Sequence, residues 1–309
     1  YLSLEIMQPK RIKLDISGVI MVDKPLGYSS NQALSKIKWL FNPKKAGHTG
    51  TLDPLATGLL PICLGEATKF SSFLLESDKT YEASIKLGFK SNTGDSEGII
   101  ESLNIEQLPS LKEIEETLQQ FLGYQEQLPP MYSALKFEGK PLYEYARRGE
   151  EIARKKRSIN ITSLDLIDYS DNILKIRVVC SKGTYIRTLA SDIGDNLNTG
   201  GYLIGLRRTA IGSVNVVQAK TLDLIEATEN EERDALIFPV DKFLNYLNEI
   251  KLAPNEEGAI KDGKTLLFKE MKEGIYRLYD QGNQFLGLGT MDSHGYLKVR
   301  RLLSLSCVE

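Results

Sequence analysis

The sequence is poor in the residues that bind metal ions or form disulfides. It has three cysteines and two histidines among 309 residues. Cys63, Cys180 and Cys307 are odd in number and far apart, which excludes a disulfide framework, and no CxxC pair or His/Cys cluster has the spacing of metal ligands. A Walker A loop and a GxGxxG segment are also absent. We therefore expect no metal and no cofactor, and a reducing compartment such as the cytoplasm.

Long apolar runs and a strong excess of one charge are absent too. No apolar run approaches the ~18 residues of a membrane-spanning helix, and the first 17 residues lack the apolar core of a signal peptide. The formal net charge is −2. The net charge therefore gives no sign of a nucleic-acid partner. A local basic patch could still bind one, because binding follows the local distribution of charge. We expect a soluble protein with no membrane partner, and we expect residues 1–6, which precede Met7, to lie outside the fold.

Strand and helix patterns are mixed along the chain. The length predicts about two domains. Residues 18–23 are predicted as a buried strand, and residues 81–87 and 172–180 alternate as half-buried strands do. A helix is predicted at residues 110–123, because Ser110 and Glu113 form a capping box before an apolar stripe that Gly123 ends. Acidic residues at 226–234 indicate a surface linker or helix, and short strands with glycine turns after residue 251 predict a small β-rich domain.

Residues 129–157, here called the basic segment, combine positive charge with aromatic side chains. Its aromatic residues are Tyr132, Phe137, Tyr143 and Tyr145. Its basic residues are Lys136, Lys140, Arg147, Arg148, Arg154, Lys155, Lys156 and Arg157. Such a mixture suits contact with phosphates and stacking on bases. A solvated surface hairpin and helix would have the same composition, so both interpretations stay open at this point.

The segment GHTGTLDPLATG, residues 47–58, allows two interpretations of Asp53. Asp53 followed by Pro54, with Gly58 four residues further on, is an ordinary arrangement for a short capped helical turn. The glycines of the segment would also let the backbone approach a ligand closely. His48 lies five residues upstream, and a single histidine is more often structural than catalytic. Local pattern alone favours the cap.

Three further residues are candidates for chemistry by type. Arg187, just after a predicted strand, could pair with a buried carboxylate and keep it ionised. It could equally be a surface arginine at a helix start. Tyr81 and Tyr185 are, taken alone, better explained as core aromatics.

Six segments together resemble the tRNA pseudouridine synthase B family, in the family's order and at matching intervals. They are DKPLGYSSNQAL, GHTGTLDPLATGLLPICLGEATKF, KTYEASIKLG, PPMYSALKFEGKPLYEYARRG, CSKGTYIRTLASDIG and LRRTAIG. The resemblance runs from about residue 18 to residue 212 and continues more weakly beyond. Members of this family are bacterial isomerases that make pseudouridine at position 55 of the tRNA T-loop, and they use no cofactor.

The resemblance implies the residues that carry the reaction. Asp53 matches the catalytic aspartate, acting as nucleophile or base, and Arg187 matches the arginine that forms an ion pair with it. Tyr81 matches a tyrosine that stacks on the target base and can take part in proton transfer.

It also implies residues that hold the RNA or support the site. His48 matches a histidine that contacts the RNA where the target nucleotide flips out. Tyr185 and Leu206 match further substrate-binding positions, and Lys24 and Pro25 match a motif that supports the site structurally. The basic segment matches an insertion that grips the tRNA elbow, so Lys136, Lys140, Arg147 and Arg148 are expected to contact RNA.

The fold implied by the resemblance is an α+β pseudouridine synthase fold. It has a central mixed, mostly antiparallel sheet flanked by helices and loops, and a small C-terminal PUA-like β-barrel domain. We expect an N-terminal extension at residues 1–17, a catalytic domain at 18–245 and an RNA-binding PUA-like domain at 246–309. The expected partner is tRNA, bound by a monomer with no obligate protein partner. Gly201 and Tyr202 depart from the family's usual residues, which puts the local packing in question.

The implied chemistry needs an ionised carboxylate. Isomerisation breaks the N1–C1′ bond of uridine, turns the base and joins C5 to C1′, with no redox step. Asp53 could attack C1′, attack C6 or remove the C2′ proton to give a glycal, and these routes stay open. A non-catalytic RNA chaperone, a hydrolase with an aspartate nucleophile, and a structural α/β protein in which Asp53 is only a cap are the alternatives.

Overall fold

The structure is a computed structural model that describes residues 12–304. The expectation for residues 1–6 and the residue Cys307 fall outside that part of the chain. The strands are β1 Gly18–Lys24, β2 Ala46–His48, β3 Ala56–Leu64, β4 Lys79–Leu87, β5 Phe89–Ser91, β6 Ile100–Ser102, β7 Gly123–Gln127, β8 Lys136–Phe137, β9 Lys140–Pro141, β10 Arg157–Ser170, β11 Ile173–Cys180, β12 Gly201–Ile211, β13 Val214–Asn215, β14 Lys220–Thr221, β15 Ile237–Phe238, β16 Asn248–Lys251, β17 Leu266–Leu267, β18 Gly274–Tyr279, β19 Phe285–Met291 and β20 Tyr296–Leu302.

The helices are shorter in total and lie between the strands. The α-helices are α1 Ser30–Phe41, α2 Ser71–Leu74, α3 Leu111–Gln120, α4 Leu142–Arg147, α5 Ile186–Asn196, α6 Leu222–Ala227 and α7 Pro254–Lys261. Short 3-10 helices occupy Gly65–Phe70, Val216–Gln218, Arg233–Leu236 and Val240–Leu244. No helix within residues 12–304 is long and apolar enough to cross a membrane.

A large mixed sheet forms the centre of the molecule. Its strand order is β14-β1-β3-β12-β4-β11-β10-β7, with β2, β13 and β15 attached at the sides. The pairs β1–β14 and β12–β3 are parallel, and the other pairs along this path are antiparallel. The prediction of a mixed, mostly antiparallel central sheet is confirmed.

Helix α1 begins directly after its capping residue, Ser29. The side chain of Ser29 accepts a hydrogen bond from the Gln32 backbone, and the Gln32 side chain accepts one from the Ser29 backbone. This reciprocal arrangement satisfies two backbone donors that have no partner inside the helix. The apolar residues of one helical face, Ala33, Ile37, Leu40 and Phe41, are all buried.

Helix α3 has the predicted capping box but ends earlier than predicted. Ser110 and Glu113 cap each other's backbone, and the helix stops at Gln120. Gly123, with φ of +89°, begins β7 three residues later. Ile114 and Leu118 are buried, whereas Leu111 and Leu122 are largely exposed, so the buried stripe is narrower than the sequence pattern indicates.

The main sheet is buried on both faces because β1 and β3 alternate between two cores. Ile20 and Val22 pack with helices α1, α3 and α5 in one core. Val19 and Met21 point to the other face, where they share a core with residues of β18 and β19. The five-stranded C-terminal sheet, β16-β18-β19-β20-β17, therefore packs against the main sheet. A third core lies inside the C-terminal region and includes Leu278.

The structure corrects the expected helical turn at Asp53. Residues 51–53 have no regular structure, Pro54 and Leu55 form a turn, and β3 begins at Ala56. The Ala56 amide donates to the Asp53 carbonyl over 3.0 Å, which closes a β-turn. The turn leads into a strand, since Ala56 and the residues after it pair with β12 and β1. Asp53 therefore does not cap a helix.

Candidate active site

Asp53 lies in a loop that is fixed to the start of α1. The Leu52 amide donates to Oγ of Ser30 over 2.8 Å, and the same hydroxyl donates to the Leu52 carbonyl over 3.0 Å. The Gly27 amide donates to the Pro54 carbonyl over 2.9 Å. Because three hydrogen bonds hold the residues on either side, the backbone of Asp53 has a fixed position.

Arg187, in the first turn of α5, lies next to Asp53. Its Nε is 3.0 Å from Oδ2 of Asp53, and only 6% of the arginine side chain is exposed. Nη1 donates to the Thr93 carbonyl over 3.3 Å, and Nη2 donates to the Tyr132 carbonyl over 2.6 Å. These contacts use all sides of the guanidinium, so its plane cannot rotate away from Asp53.

Asp95 is a second carboxylate beside Arg187 that the sequence did not single out. Its Oδ2 lies 3.5 Å from Nη1 of Arg187, and its side chain is 2% exposed. Oδ1 accepts hydrogen bonds from the Thr93 hydroxyl and the Glu97 amide. A turn-rich polar loop, SNTGDSEG, predicts a surface position, and no local signal indicates that Asp95 folds inward onto an arginine.

The charges around Asp53 act in opposite directions on its pKa. Although 41% of its side chain is open to the cavity, protein displaces most of the nearby water, and this burial raises the pKa of Asp53. The Arg187 guanidinium lowers that pKa, Asp95 raises it and Lys24 lowers it. Arg187 therefore favours the ionised carboxylate against the effect of burial.

Lys24, expected to support the site, is completely buried at the end of β1. Its Nζ donates to the carbonyls of Pro25 and Tyr28, which holds the turn before α1. Burial lowers the pKa of Lys24 to about 8, and Asp53 opposes that effect. Lys24 therefore holds the turn whose Gly27 amide contacts the Asp53 loop, whereas Pro25 is exposed. The structural role expected of both residues stays a prediction.

A cavity of about 570 Å³ opens above Asp53. Four other residues expected in the site, Tyr81, Tyr185, Arg187 and Leu206, also line it. The lining is strongly cationic, because it contains five basic residues and Asp53 is its single carboxylate. The cationic lining residues are Lys79, Arg157, Lys182, Arg187 and Arg208. Such a cavity suits a ligand that carries phosphates.

The two tyrosines are placed by different elements. Tyr81 is on β4, is 9% exposed, and has its pKa raised mainly by burial. Tyr185 immediately precedes α5, where its amide donates to Oε1 of Gln127 over 2.7 Å and its carbonyl accepts from Nε2 over 3.1 Å. Leu206 on β12 pairs with Ala56 of β3, two strands that meet at the cavity.

His48 lies apart from these residues on β2 and does not line the cavity. Its Nδ1 is buried with no hydrogen-bond partner among the residues that the structure describes. Burial lowers the pKa of His48, and the Arg208 charge adds to that effect. A neutral imidazole is therefore favoured at neutral pH.

The basic segment folds as a small hairpin, β8–β9, followed by α4. Lys136, Lys140, Arg147 and Arg148 are all exposed. Arg147 lies over the ring of Tyr143 and Arg148 over that of Tyr145, at 5.4 and 4.9 Å from the ring centroids.

The aromatic residues of the basic segment serve its own packing in part. Tyr145 is 8% exposed. Its ring meets that of Phe137 edge-on at 5.9 Å. Tyr145 is therefore packed within the basic segment and is not free to stack on a base.

Gly201 and Tyr202 stand at the start of β12 and do not line the cavity. A Cβ on Gly201 would lie 3.0 Å from the Ala190 carbonyl oxygen of α5. The absent side chain lets β12 pack closely against α5. Their departure from the family's usual residues therefore concerns helix–strand packing.

Comparison with solved structures shows which fold this chain has. The structure of an H/ACA RNP bound to a substrate RNA containing 2′-deoxyuridine matches with a TM-score of 0.70 and 23% identity, over 93% of this chain and 85% of that one. A chain of the Cbf5–Nop10–Gar1 complex matches with a TM-score of 0.69 and 24% identity, over 93% and 83%. The fold is that of the pseudouridine synthases, with a PUA-like C-terminal sheet, as predicted.

Sequence comparison identifies the family. Residues 38–186 match the N-terminal domain of the TruB family pseudouridylate synthases, residues 187–245 the tRNA pseudouridylate synthase B C-terminal domain, and residues 248–303 the C-terminal domain of pseudouridine synthase II TruB. The tRNA pseudouridine synthase B of Azoarcus sp. is 49% identical over 96% of this chain and 97% of its own. That of Aromatoleum aromaticum is 48% identical over 94% and 93%. The chain belongs to the TruB family of pseudouridine synthases, which confirms the resemblance.

Proposed function

We propose that this protein isomerises uridine 55 in the T-loop of tRNA to pseudouridine, with Asp53 as the catalytic carboxylate. The observation that carries the proposal is the position of Asp53, the one carboxylate in a cationic cavity, paired at 3.0 Å with the buried Arg187. The relatives named above are tRNA pseudouridine synthases, which supports tRNA as the substrate.

The reaction begins when the target uridine leaves its stack and enters the cavity. Flipping costs a few kcal/mol, and contacts inside the protein must offset it. Tyr81, Tyr185 and Leu206 supply apolar and aromatic surface for the base. His48 contacts the RNA at the place that the nucleotide has left. Because its pKa is lowered, the imidazole is neutral and does not attract phosphates by charge.

Asp53 then acts on the ribose or the base. Each route requires the ionised carboxylate, whether it attacks C1′, attacks C6 or removes the C2′ proton. Arg187 supports that form by lowering the pKa of Asp53 against the effect of burial. The base turns within the cavity, C5 bonds to C1′, and loss of the C5 proton completes an isomerisation that has no net change in atoms.

The remaining surfaces contribute binding. The exposed Lys136, Lys140, Arg147 and Arg148 of the basic segment contact the phosphates of the tRNA elbow. Residues 18–245 form the catalytic domain and residues 246–309 a PUA-like domain that binds RNA; the family matches that end at residue 245 and resume at residue 248 support this division. The protein works as a monomer in the cytoplasm, with no obligate protein partner.

Tritium release tests the proposal. A tRNA transcript carrying [5-³H]uridine should release the label of one uridine per molecule, and a matched transcript with cytidine at position 55 should release none. Equal release from both transcripts would overturn the assignment of the site. Absence of release from either, with tRNA bound, would overturn the activity.

A further inference from the structure

Two adjacent arginines on β12 have opposite environments. Arg207 is partly exposed and forms a two-point ion pair with Asp23, at 2.9 and 2.7 Å. Arg208 is 1% exposed, and no carboxylate forms an ion pair with it among the residues that the structure describes. Arginine stays protonated in proteins. A buried cation without a counter-ion is costly, so Arg208 calls for an explanation that Arg207 does not.

Backbone oxygens hold the Arg208 guanidinium in a fixed orientation. Its Nε donates to the Leu59 carbonyl over 2.7 Å, and Nη2 donates to the Gly50 carbonyl over 2.9 Å. Gly50 has φ of +74°, and a Cβ there would lie 3.1 Å from Nη1. The absence of a side chain at position 50 thus makes room for the guanidinium beside the loop that carries Asp53.

Arg208 and Tyr81 are neighbours on adjacent strands. Arg208 and Tyr81 are direct partners in the β12–β4 ladder, and both line the cavity above Asp53. Partners of a ladder point to the same face of the sheet, so their side chains meet. The Tyr81 hydroxyl interacts with the guanidinium, which lowers the pKa of Tyr81 against the larger effect of burial.

We propose that Arg208 is a positioning residue for the reaction: its guanidinium, fixed by two backbone carbonyls, holds the Tyr81 hydroxyl in place and keeps a permanent positive charge in the wall of the base-binding cavity. This inference rests on the proposed function. When the N1–C1′ bond breaks, its electron pair stays with the uracil ring. Later, C5 bonds to C1′ and loses its proton while N1 gains one. A fixed cation stabilises negative charge that develops on the ring or on the tyrosine oxygen.

A double-mutant cycle tests whether Arg208 acts through Tyr81. The single-turnover rate of tritium release is measured at saturating protein for the wild type, Arg208→Gln, Tyr81→Phe and the double variant. We expect Arg208→Gln to slow the step about 100-fold with little change in tRNA affinity. In the Tyr81→Phe background the same change should cost little more, because the hydroxyl that Arg208 holds is gone.

The pH profile separates this role from a structural one. Arg208, Cys180 and Asp53 influence the pKa of Tyr81, and Arg208 also lowers the pKa of Lys79, which lines the same cavity. Loss of the Arg208 charge should therefore move the alkaline limb of the single-turnover rate to higher pH in Arg208→Gln. The part of that shift that Tyr81 causes should be absent when the same change is made in Tyr81→Phe. An unchanged alkaline limb would show that Arg208 only supports the fold.

Matched variants complete the experiment. Arg207→Gln, next in sequence but outside the cavity lining, should leave the rate and the alkaline limb unchanged. If Arg208→Gln does not fold, Arg208→Lys replaces it in the cycle, since it keeps the charge and loses the two-carbonyl geometry. The proposal would be overturned if the rate losses of the two single variants multiplied in the double variant. It would also be overturned if Tyr81→Phe were as fast as the wild type. Failure of the wild type itself to release tritium would instead overturn the proposed function.

Discussion

Arg187 and Asp53 form an ion pair whose two partners differ in exposure. Nε of Arg187 lies 3.0 Å from Oδ2 of Asp53, with 6% of the arginine side chain and 41% of the aspartate side chain exposed. The arginine has further contacts with the Thr93 and Tyr132 carbonyls and with Asp95. The pair therefore presents a fixed, buried cation and a carboxylate that is open to the cavity.

Asp53→Asn should abolish product formation and leave tRNA binding intact. The amide keeps the size of the side chain but cannot act as nucleophile or base, so we expect a loss of about 10³-fold or more in single-turnover rate. Tritium release measures the rate, and filter binding measures affinity. Turnover at the wild-type rate would contradict the assignment. If the protein acted only as an RNA chaperone, Asp53→Asn would promote tRNA folding as well as the wild type does.

Arg187→Lys should move the acid limb of the pH–rate profile to higher pH. Lysine keeps a charge but cannot reach Asp53 and Asp95 together with the fork of a guanidinium. The influence that lowers the pKa of Asp53 is then weaker, while burial still raises it. Single-turnover rates between pH 5 and 8 measure the limb, and thermal unfolding checks that the variant folds. An acid limb at its original pH would argue against Arg187 as the group that keeps Asp53 ionised.

Asp95→Asn should move the same limb in the opposite direction. Asp95 raises the pKa of Asp53, so a neutral amide of the same shape lowers that pKa and extends the ionised form to lower pH. The amide oxygen of the variant can still accept the hydrogen bonds that the Thr93 hydroxyl and the Glu97 amide donate to Oδ1. A shift in the same direction as that of Arg187→Lys would show that Asp95 acts mainly by orienting the arginine.

Neutralising Arg147 and Arg148 should weaken tRNA binding and flatten its salt dependence. Both side chains are exposed in the basic segment. Removing one phosphate-binding charge reduces the slope of log K against log salt by about 0.7 to 0.9. Titration of Arg147→Gln/Arg148→Gln at several salt concentrations gives the slope, and Lys112→Gln, an exposed lysine of α3, is the control. An unchanged slope would exclude this surface from RNA binding.

Ser110→Ala should lower stability without changing activity. Ser110 caps α3 through the Glu113 amide and does not line the cavity. Loss of such a cap costs about 1 kcal/mol. Denaturant unfolding measures the free energy of unfolding, and tritium release should proceed at the wild-type rate. A fall in rate larger than the fall in the folded fraction would place α3 in contact with the reaction.

Local signals were sufficient for most elements and insufficient for some of the site. The capping box and the apolar face of α3 were predictable, because caps and periodicity act over a few residues. The helical turn expected at Asp53 was wrong, since pairing of Ala56 and its successors with β1 and β12 outweighed the local preference of Asp-Pro for a helix start. Strands that are distant in sequence determined the structure of this segment, and the local pattern contains no information about them.

Asp95 and Arg208 show most clearly which features local sequence patterns could not predict. Asp95 lies in a loop whose composition predicts exposure. It is buried because it contacts Arg187 of α5, which is distant in sequence. Arg208 is next to Arg207 in one strand, and the two cannot be told apart by residue type. Their opposite burial follows from the alternation of β12 between cavity and outer face, which the strand's register with β4 decides.

The sequence by itself determined the family, the main strands and capped helices, and the residue types available for catalysis, because these depend on motif order and on short-range periodicity. The tertiary structure decided which of those residues meet. It brought Asp53, Tyr81, Arg187 and Leu206 from separate elements to one cavity and left Tyr145 packed inside the basic segment. It also buried Arg208 with no carboxylate paired to it within residues 12–304. Charge and burial depend on neighbours that are distant in sequence, so only the folded chain fixes the pKa of Asp53.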